Sequence, residues 1–224
     1  MRKQILVISL LLIFFVNWGH PAAAQFKLGA QLGYGLAKYS KPAGDEEVIS
    51  TDIKEWTTYL AGNYTYNDLL LTGFYRSGQA WDGPLKHSLA QICANYSILE
   101  EDLLQVYAGL GYQFLHARLE HPDPGSEGKF EPRSNSFLGQ VIVAIDVMEN
   151  LEAITTITAA PRLTWNLDTP NGAGNSFNYS LDLIYDFKDE YGLRFGLMGG
   201  NYKIRDLKIK TSYTGANLGL TWHF

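Results

Sequence analysis

The chain has 224 residues, enough for one domain of ordinary size, with 18 Lys and Arg against 23 Asp and Glu. An acidic balance argues against a nucleic-acid partner, which favours a basic surface. The single cysteine, Cys93, excludes an internal disulfide framework.

The first 24 residues read as a leader rather than as part of the fold. Arg2 and Lys3 precede a 12-residue apolar run, Ile5 to Val16, broken only by Ser9. Pro21 and Ala22-Ala23-Ala24 follow as a small-residue cleavage pattern, so residues 1–24 are expected to be a signal peptide cut after Ala24. The run is too short for a spanning helix, which needs roughly 20 apolar residues. Removing two basic residues and no acids leaves a formal charge of 16 − 23 = −7 on 25–224. No long apolar run follows, which argues against a helical membrane protein. It does not argue against a membrane barrel, whose lipid-facing and lumen-facing residues alternate.

From Gln25 onward the sequence alternates with period 2. Phe26, Leu28, Ala30, Leu32, Tyr34 and Leu36 share one face; Lys27, Gly29, Gln31, Gly33 and Gly35 share the other. The same test predicts ten strands, near 25–40, 52–66, 69–80, 86–98, 103–118, 133–148, 151–165, 176–187, 190–202 and 208–224. Pro161 removes a ladder hydrogen bond, so irregular pairing is expected in the seventh strand. Cys93 falls inside a strand-like run and reads as a buried structural thiol.

The connections alternate in length. Asn67-Asp68, Leu99 to Asp102, Glu149-Asn150 and Lys188-Asp189 are tight; 41–51, 81–85, 119–132, 166–175 and 203–207 are longer. A soluble β-sandwich also alternates along its strands, but has no reason to sort its connections by length onto two sides. Its strands also average about 5–6 residues. Most runs here reach 12 or more, enough for a tilted strand to cross a bilayer. The expectation is an all-β, antiparallel up-and-down transmembrane barrel filling 25–224, with ten strands, or eight as the fallback.

The last strand sets Ala216, Leu218, Leu220, Trp222 and Phe224 on one face and stops on Phe224. In this it resembles the Gram-negative outer-membrane barrel families as a general class. The resemblance covers 25–224 as pattern rather than motif. It implies that Leu220, Trp222 and Phe224 form the signal read by the barrel-assembly machinery, and that the chain sits in outer-membrane lipid and lipopolysaccharide. Aromatics gather near both strand ends, as two girdles require: Tyr64, Tyr96, Tyr185 and Trp222 on one side, Tyr34, Trp56, Phe137 and Phe177 on the other.

Parity then assigns the lumen. Its charged members are Lys27, Arg76, Asp146, Glu152, Arg162, Asp182, Asp186 and Arg194, with His87 and His223. Lys27, Asp146, Glu152, Asp186 and Arg194 are expected at the inner end, with Lys27 and Arg194 as cations for neighbouring acids. Arg76, His87 and Arg162 lie toward the outer mouth. Inward glycines leave room or accommodate curvature. Two readings follow: a narrow pore for small hydrophilic solutes whose selectivity these charges set, or a non-conducting barrel acting through its outer loops.

The acids Asp45, Glu46, Glu47, Asp52, Glu55, Glu120, Asp123, Glu127 and Glu131 read as solvated loop charge, with divalent-cation bridging to lipopolysaccharide as an alternative. An enzyme of the omptin or lipid A type would need a rim pair among Asp82, His87, His116, His121 and Asp123. His121 and Asp123 lie in a proline-rich turn, and His87 and Ser88 point to opposite faces of a strand. No metal-ligand spacing, phosphate loop or nucleophile elbow is present, so no catalytic residue and no cofactor is expected.

Overall fold

The computed structural model describes residues 24–43, 47–81, 85–119, 133–166, 172–205 and 208–224. The expected leader, apart from Ala24, lies outside these residues, as do most of the acidic loop positions and the pair His121 and Asp123.

Ten strands form: β1 Ala24–Ala43, β2 Glu47–Tyr66, β3 Leu69–Ala80, β4 Leu85–Glu101, β5 Leu104–Leu119, β6 Arg133–Met148, β7 Leu151–Asn166, β8 Gly172–Lys188, β9 Tyr191–Ile204 and β10 Ile209–His223. Each pairs antiparallel with its neighbours in sequence, and β1 closes on β10. Among the described residues there is no helix. The tight turns all lie at one end, with both described termini beside them. Asn67 opens the first of these turns at φ 50°, a conformation that Asn tolerates and two-residue hairpins require.

Register fixes the shape of the barrel. A ladder that leaves β1 at Ala24, through Tyr66, Leu69, Tyr96, Ala108, Val141, Ile157, Tyr179, Gly199 and Thr214, returns to β1 at Leu36, a shear of 12 residues. With about 3.3 Å per residue and about 4.8 Å between strands, that stagger tilts the strands by about 40°. The backbone cylinder then has a radius of about 10 Å, so long side chains from opposite walls meet.

The two faces of the wall differ as the alternation requires. On β9, Tyr191, Leu193, Phe195 and Leu197 are exposed outward, while Gly192, Arg194, Gly196 and Met198 are buried. Leu32, Leu110, Phe137, Leu218 and many other large apolar residues are likewise exposed outward, a coat that only lipid can satisfy. Rings at both ends meet in pairs. Tyr34 stands edge-on to Trp56 at 5.6 Å, and Trp56 stacks on Trp81 at 5.4 Å. At the other end Phe26 and Phe224 lie 5.9 Å apart, and their backbones exchange two hydrogen bonds, at 2.9 and 3.3 Å. This bonding holds the C-terminal residue in the closing seam.

Three segments differ from the sequence expectation. Residues 41–43 and 47–51, expected as loop, continue β1 and β2 as a hairpin, because each supplies the other's ladder partners from Ser40↔Ser50 to Ala43↔Glu47. β8 starts at Gly172 rather than near 176, since Gly172 to Gly174 pair with the end of β7 despite their turn-like composition. Pro161 does produce irregular pairing: the β7–β8 register shifts between Ala160 and Leu163.

Candidate functional site

The lumen is a stack of side chains contributed by inward positions. Cys93 is buried there among Leu89, Leu115 and Leu138. Polar groups connect across the remaining space in layers, and these layers are where the sequence-predicted charges meet their partners.

The outermost layer centres on a residue that sequence reading assigned to solvated loop charge. Glu55 is instead inward on β2 and fully buried. Its loop-like acidic context hid its parity, which matches that of Thr57 on the same inward face. Arg76 on β3 donates from Nη2 to Glu55 Oε1 at 2.7 Å, and His87 on β4 bonds Oε2 of the same carboxylate at 2.5 Å. β3 stands between Glu55 and His87, and its residue there is Gly78, opposite His87 in register. A methyl group at Gly78 would collide with both His87 Nε2 and the Glu55 carboxylate. Gly78 is therefore the slot through which β2 and β4 bond over β3. Several inward glycines work this way. Gly196 leaves the space that the Asp182 and Asn217 side chains occupy, so these positions are filled rather than open.

From this centre the layer crosses the barrel. The Arg76 guanidinium lies 3.4 Å over the ring of Tyr213 on β10. Tyr213 donates to Asn178 Oδ1 at 2.9 Å, and Asn178 donates to Thr158 at 3.3 Å. Gln91 donates to Gln113 at 2.9 Å, which donates to Ser176 at 2.8 Å. A cavity of about 10 Å³, room for roughly one water, adjoins Arg76, His87, Gln113, Ser176 and Tyr213.

Toward the inner end, Thr72 donates across the lumen to Gln140 at 2.8 Å. Arg194 grips Asp182 with two nitrogens, Nε to Oδ1 at 3.0 Å and Nη2 to Oδ2 at 2.9 Å. At the mouth, Lys27 on β1 reaches across to Glu152 on β7 at 3.2 Å, and His223 meets Asp186 at 3.3 Å.

The structure brings together most of the expected lumen charges, with three corrections. Lys27 does serve Glu152, but Arg194 pairs with Asp182 rather than with Asp146 or Glu152. Asp182 lies deeper on β8 than Asp186, with one inward residue, Ile184, between them, and the guanidinium lies nearer the barrel middle. Asp146 faces Glu152 in register as expected, yet it is exposed at the rim, where a bulge shifts the register between Asp146 and Met148. Arg162 is not in the lumen. The bulge at Pro161-Arg162 turns both residues out and restores Leu163 to the interior, so Arg162 is exposed. Pro161 signals the irregularity in the sequence, but the exchange of faces that follows it appears only in the pairing.

His87 and Ser88 do lie on opposite faces, with His87 buried against Glu55 and Ser88 half-buried on the other side. Among the described residues no group of three His, Cys, Asp or Glu side chains could hold a metal ion.

No family model matches the chain, and no curated protein matches it in sequence. Solved structures do match in fold. The outer membrane protease OmpT from Escherichia coli superposes with a TM-score of 0.56 at 10% identity, over 93% of this chain and 99% of that one. Neisserial surface protein A gives 0.46 at 14% identity, over 89% and 97%. Ail, the attachment invasion locus protein of Yersinia pestis, gives 0.33 at 11% identity, over 88% and 98%. With the closed ten-strand ladder and the apolar outer coat, the chain has the fold of the small Gram-negative outer-membrane β-barrels.

Proposed function

We propose that this protein is an exported, non-conducting outer-membrane barrel that acts at the cell surface rather than as a porin. One observation carries the reading. The polar side chains at the lumen's centre are almost inaccessible to water: Asn95 is 0% exposed, Glu55 and Gln113 1%, Arg76 and Asp182 2%. A continuous aqueous passage would wet the groups that line it. The bonds from β2, β3 and β4 to β10, β8 and β7 cross the path an ion would take. On this reading the charges fix the barrel's shape, and the outer connections carry the function.

The test is a planar-bilayer recording from purified, refolded protein. The expected trace has no unitary steps. Discrete openings whose ion selectivity changes in Asp182→Asn would instead support a narrow pore. Two parts of the biogenesis belong to the same proposal. Cleavage after Ala24 exposes Gln25, which mass spectrometry of the mature protein reads directly. Leu220, Trp222 and Phe224 form the signal for the assembly machinery, so deleting Phe224 is expected to lower the outer-membrane yield without altering export.

A further inference from the structure

Three chains of hydrogen bonds cross the outer half of the lumen and converge on one enclosed space. The first joins Glu55 on β2 to Arg76 on β3 and His87 on β4. The second runs from Gln91 on β4 through Gln113 on β5 to Ser176 on β8. The third runs from Tyr213 on β10 through Asn178 on β8 to Thr158 on β7. Arg76, His87, Gln113, Ser176, Asn178 and Tyr213 all line the same cavity of about 10 Å³. Leu89 and Leu115 form its apolar side.

The groups around this space have bonding capacity left over. The Arg76 side chain is 2% exposed and uses Nη2 on Glu55. Its Nε and Nη1 are buried and meet no protein acceptor among the described residues. Ser176 Oγ accepts from Gln113, which leaves its own hydrogen to donate. Asn178 Oδ1 accepts from Tyr213 and keeps a second lone pair. Donors and acceptors thus border a space with room for about one water, which needs roughly 2–4 polar partners. Unbonded guanidinium hydrogens in a dry interior cost free energy that such a partner recovers. A small anion would also accept from Arg76. Glu55 already balances that charge at 2.7 Å, however, so an anion would bring an uncompensated charge into the barrel.

We propose that one ordered water occupies this cavity as a hub, accepting from Arg76 and joining the three chains into a single network across the lumen. The inference rests on the sealed-lumen reading and deepens it. A closed interior traps the molecule, whereas a continuous passage would exchange it with bulk water.

The test observes the Arg76 Nε–H resonance of the full mature chain, made with isotope-labelled arginine and held in lipid nanodiscs. Dipolar cross-peaks from this proton to water are recorded in the laboratory and rotating frames. A trapped water gives peaks of opposite sign in the two experiments, and proton exchange gives the same sign. The native barrel is expected to show the opposite-sign pair. Ser176→Thr adds one methyl, close to the volume of a water, and keeps the hydroxyl that accepts from Gln113; it should lose the cross-peak. Ser176→Ala removes the hydroxyl and leaves the space, so the cross-peak should persist on Arg76 and Asn178. A native barrel without the opposite-sign pair overturns the proposal, and so does a peak that survives Ser176→Thr at native intensity. Loss of the peak in Ser176→Ala overturns it as well, by marking a relay through the hydroxyl. Movement of the Arg76 resonance when chloride replaces sulfate at constant ionic strength would put an anion in the water's place. The native and chloride measurements need no variant, so they decide the matter even where a substitution prevents folding. Unitary openings in the planar-bilayer recording contradict the sealed-lumen reading itself, while a silent barrel without the cross-peak contradicts the hub alone.

Discussion

The two ends of the lumen contain the same kinds of group and hold them in opposite ways. At the outer end Glu55, Arg76 and His87 are 1–3% exposed and share one carboxylate. At the inner end Lys27 and Glu152 are 30% and 19% exposed, and the Asp186–His223 pair is similarly wet. Removing one partner of a buried pair strands an uncompensated charge, whereas an open pair exchanges its partner for water. The same count of ion pairs therefore stabilises the two ends very unequally.

The largest effect should come from Glu55→Gln, which leaves Arg76 buried without its carboxylate. It is expected to cost about 3–5 kcal/mol, read as a shift in the urea midpoint of unfolding from lipid vesicles. The double variant Glu55→Gln with Arg76→Met should recover part of that loss, and failure to recover any would mean that the pair is not coupled. Asp182→Asn should follow at about 3 kcal/mol, because Arg194 grips that carboxylate with two nitrogens in the dry part of the barrel. Gly78→Ala comes next at about 1–3 kcal/mol, since the added methyl forces apart Glu55 and His87. At the wet end Lys27→Gln should cost roughly 0–1 kcal/mol. A loss from Lys27→Gln as large as that from Glu55→Gln would erase the distinction between the ends. Arg162→Gln should change folding stability by less than about 0.5 kcal/mol, as expected of a side chain outside the lumen.

The fold was legible because a barrel wall is a local code. Each strand declares its two faces by alternation, and the lengths of the connections separate the two ends. Alternation alone places Lys27, Asp182 and Arg194 inward, where their ion pairs form. The code failed where a local rule was interrupted. The bulge after Ala160 advances the chain by one position and so exchanges the faces, carrying Arg162 out. Glu55 was misread because a run of acids and a nearby expected loop suggested solvent, although Thr57 and Asn63 shared its parity. Partner choice was the least legible part. Whether Arg194 reaches Asp182 or Asp186, and whether Arg76 finds Tyr213, depends on a shear of 12 residues that no single strand encodes. The glycine slots belong to the same category, because Gly78 matters only when its neighbours in the ladder are known.

The bonding between Phe26 and Phe224 has a consequence for how the molecule comes into being. Phe26 near the start of β1 and Phe224 just after β10 exchange backbone hydrogen bonds, so the contact of greatest sequence separation is also the one that eliminates both sheet edges. Until β10 meets β1, the polypeptide is an open sheet whose rims invite pairing with other chains. Such long-range closure is intrinsically slow. The topology therefore leaves both rims unpaired until β1 and β10 meet.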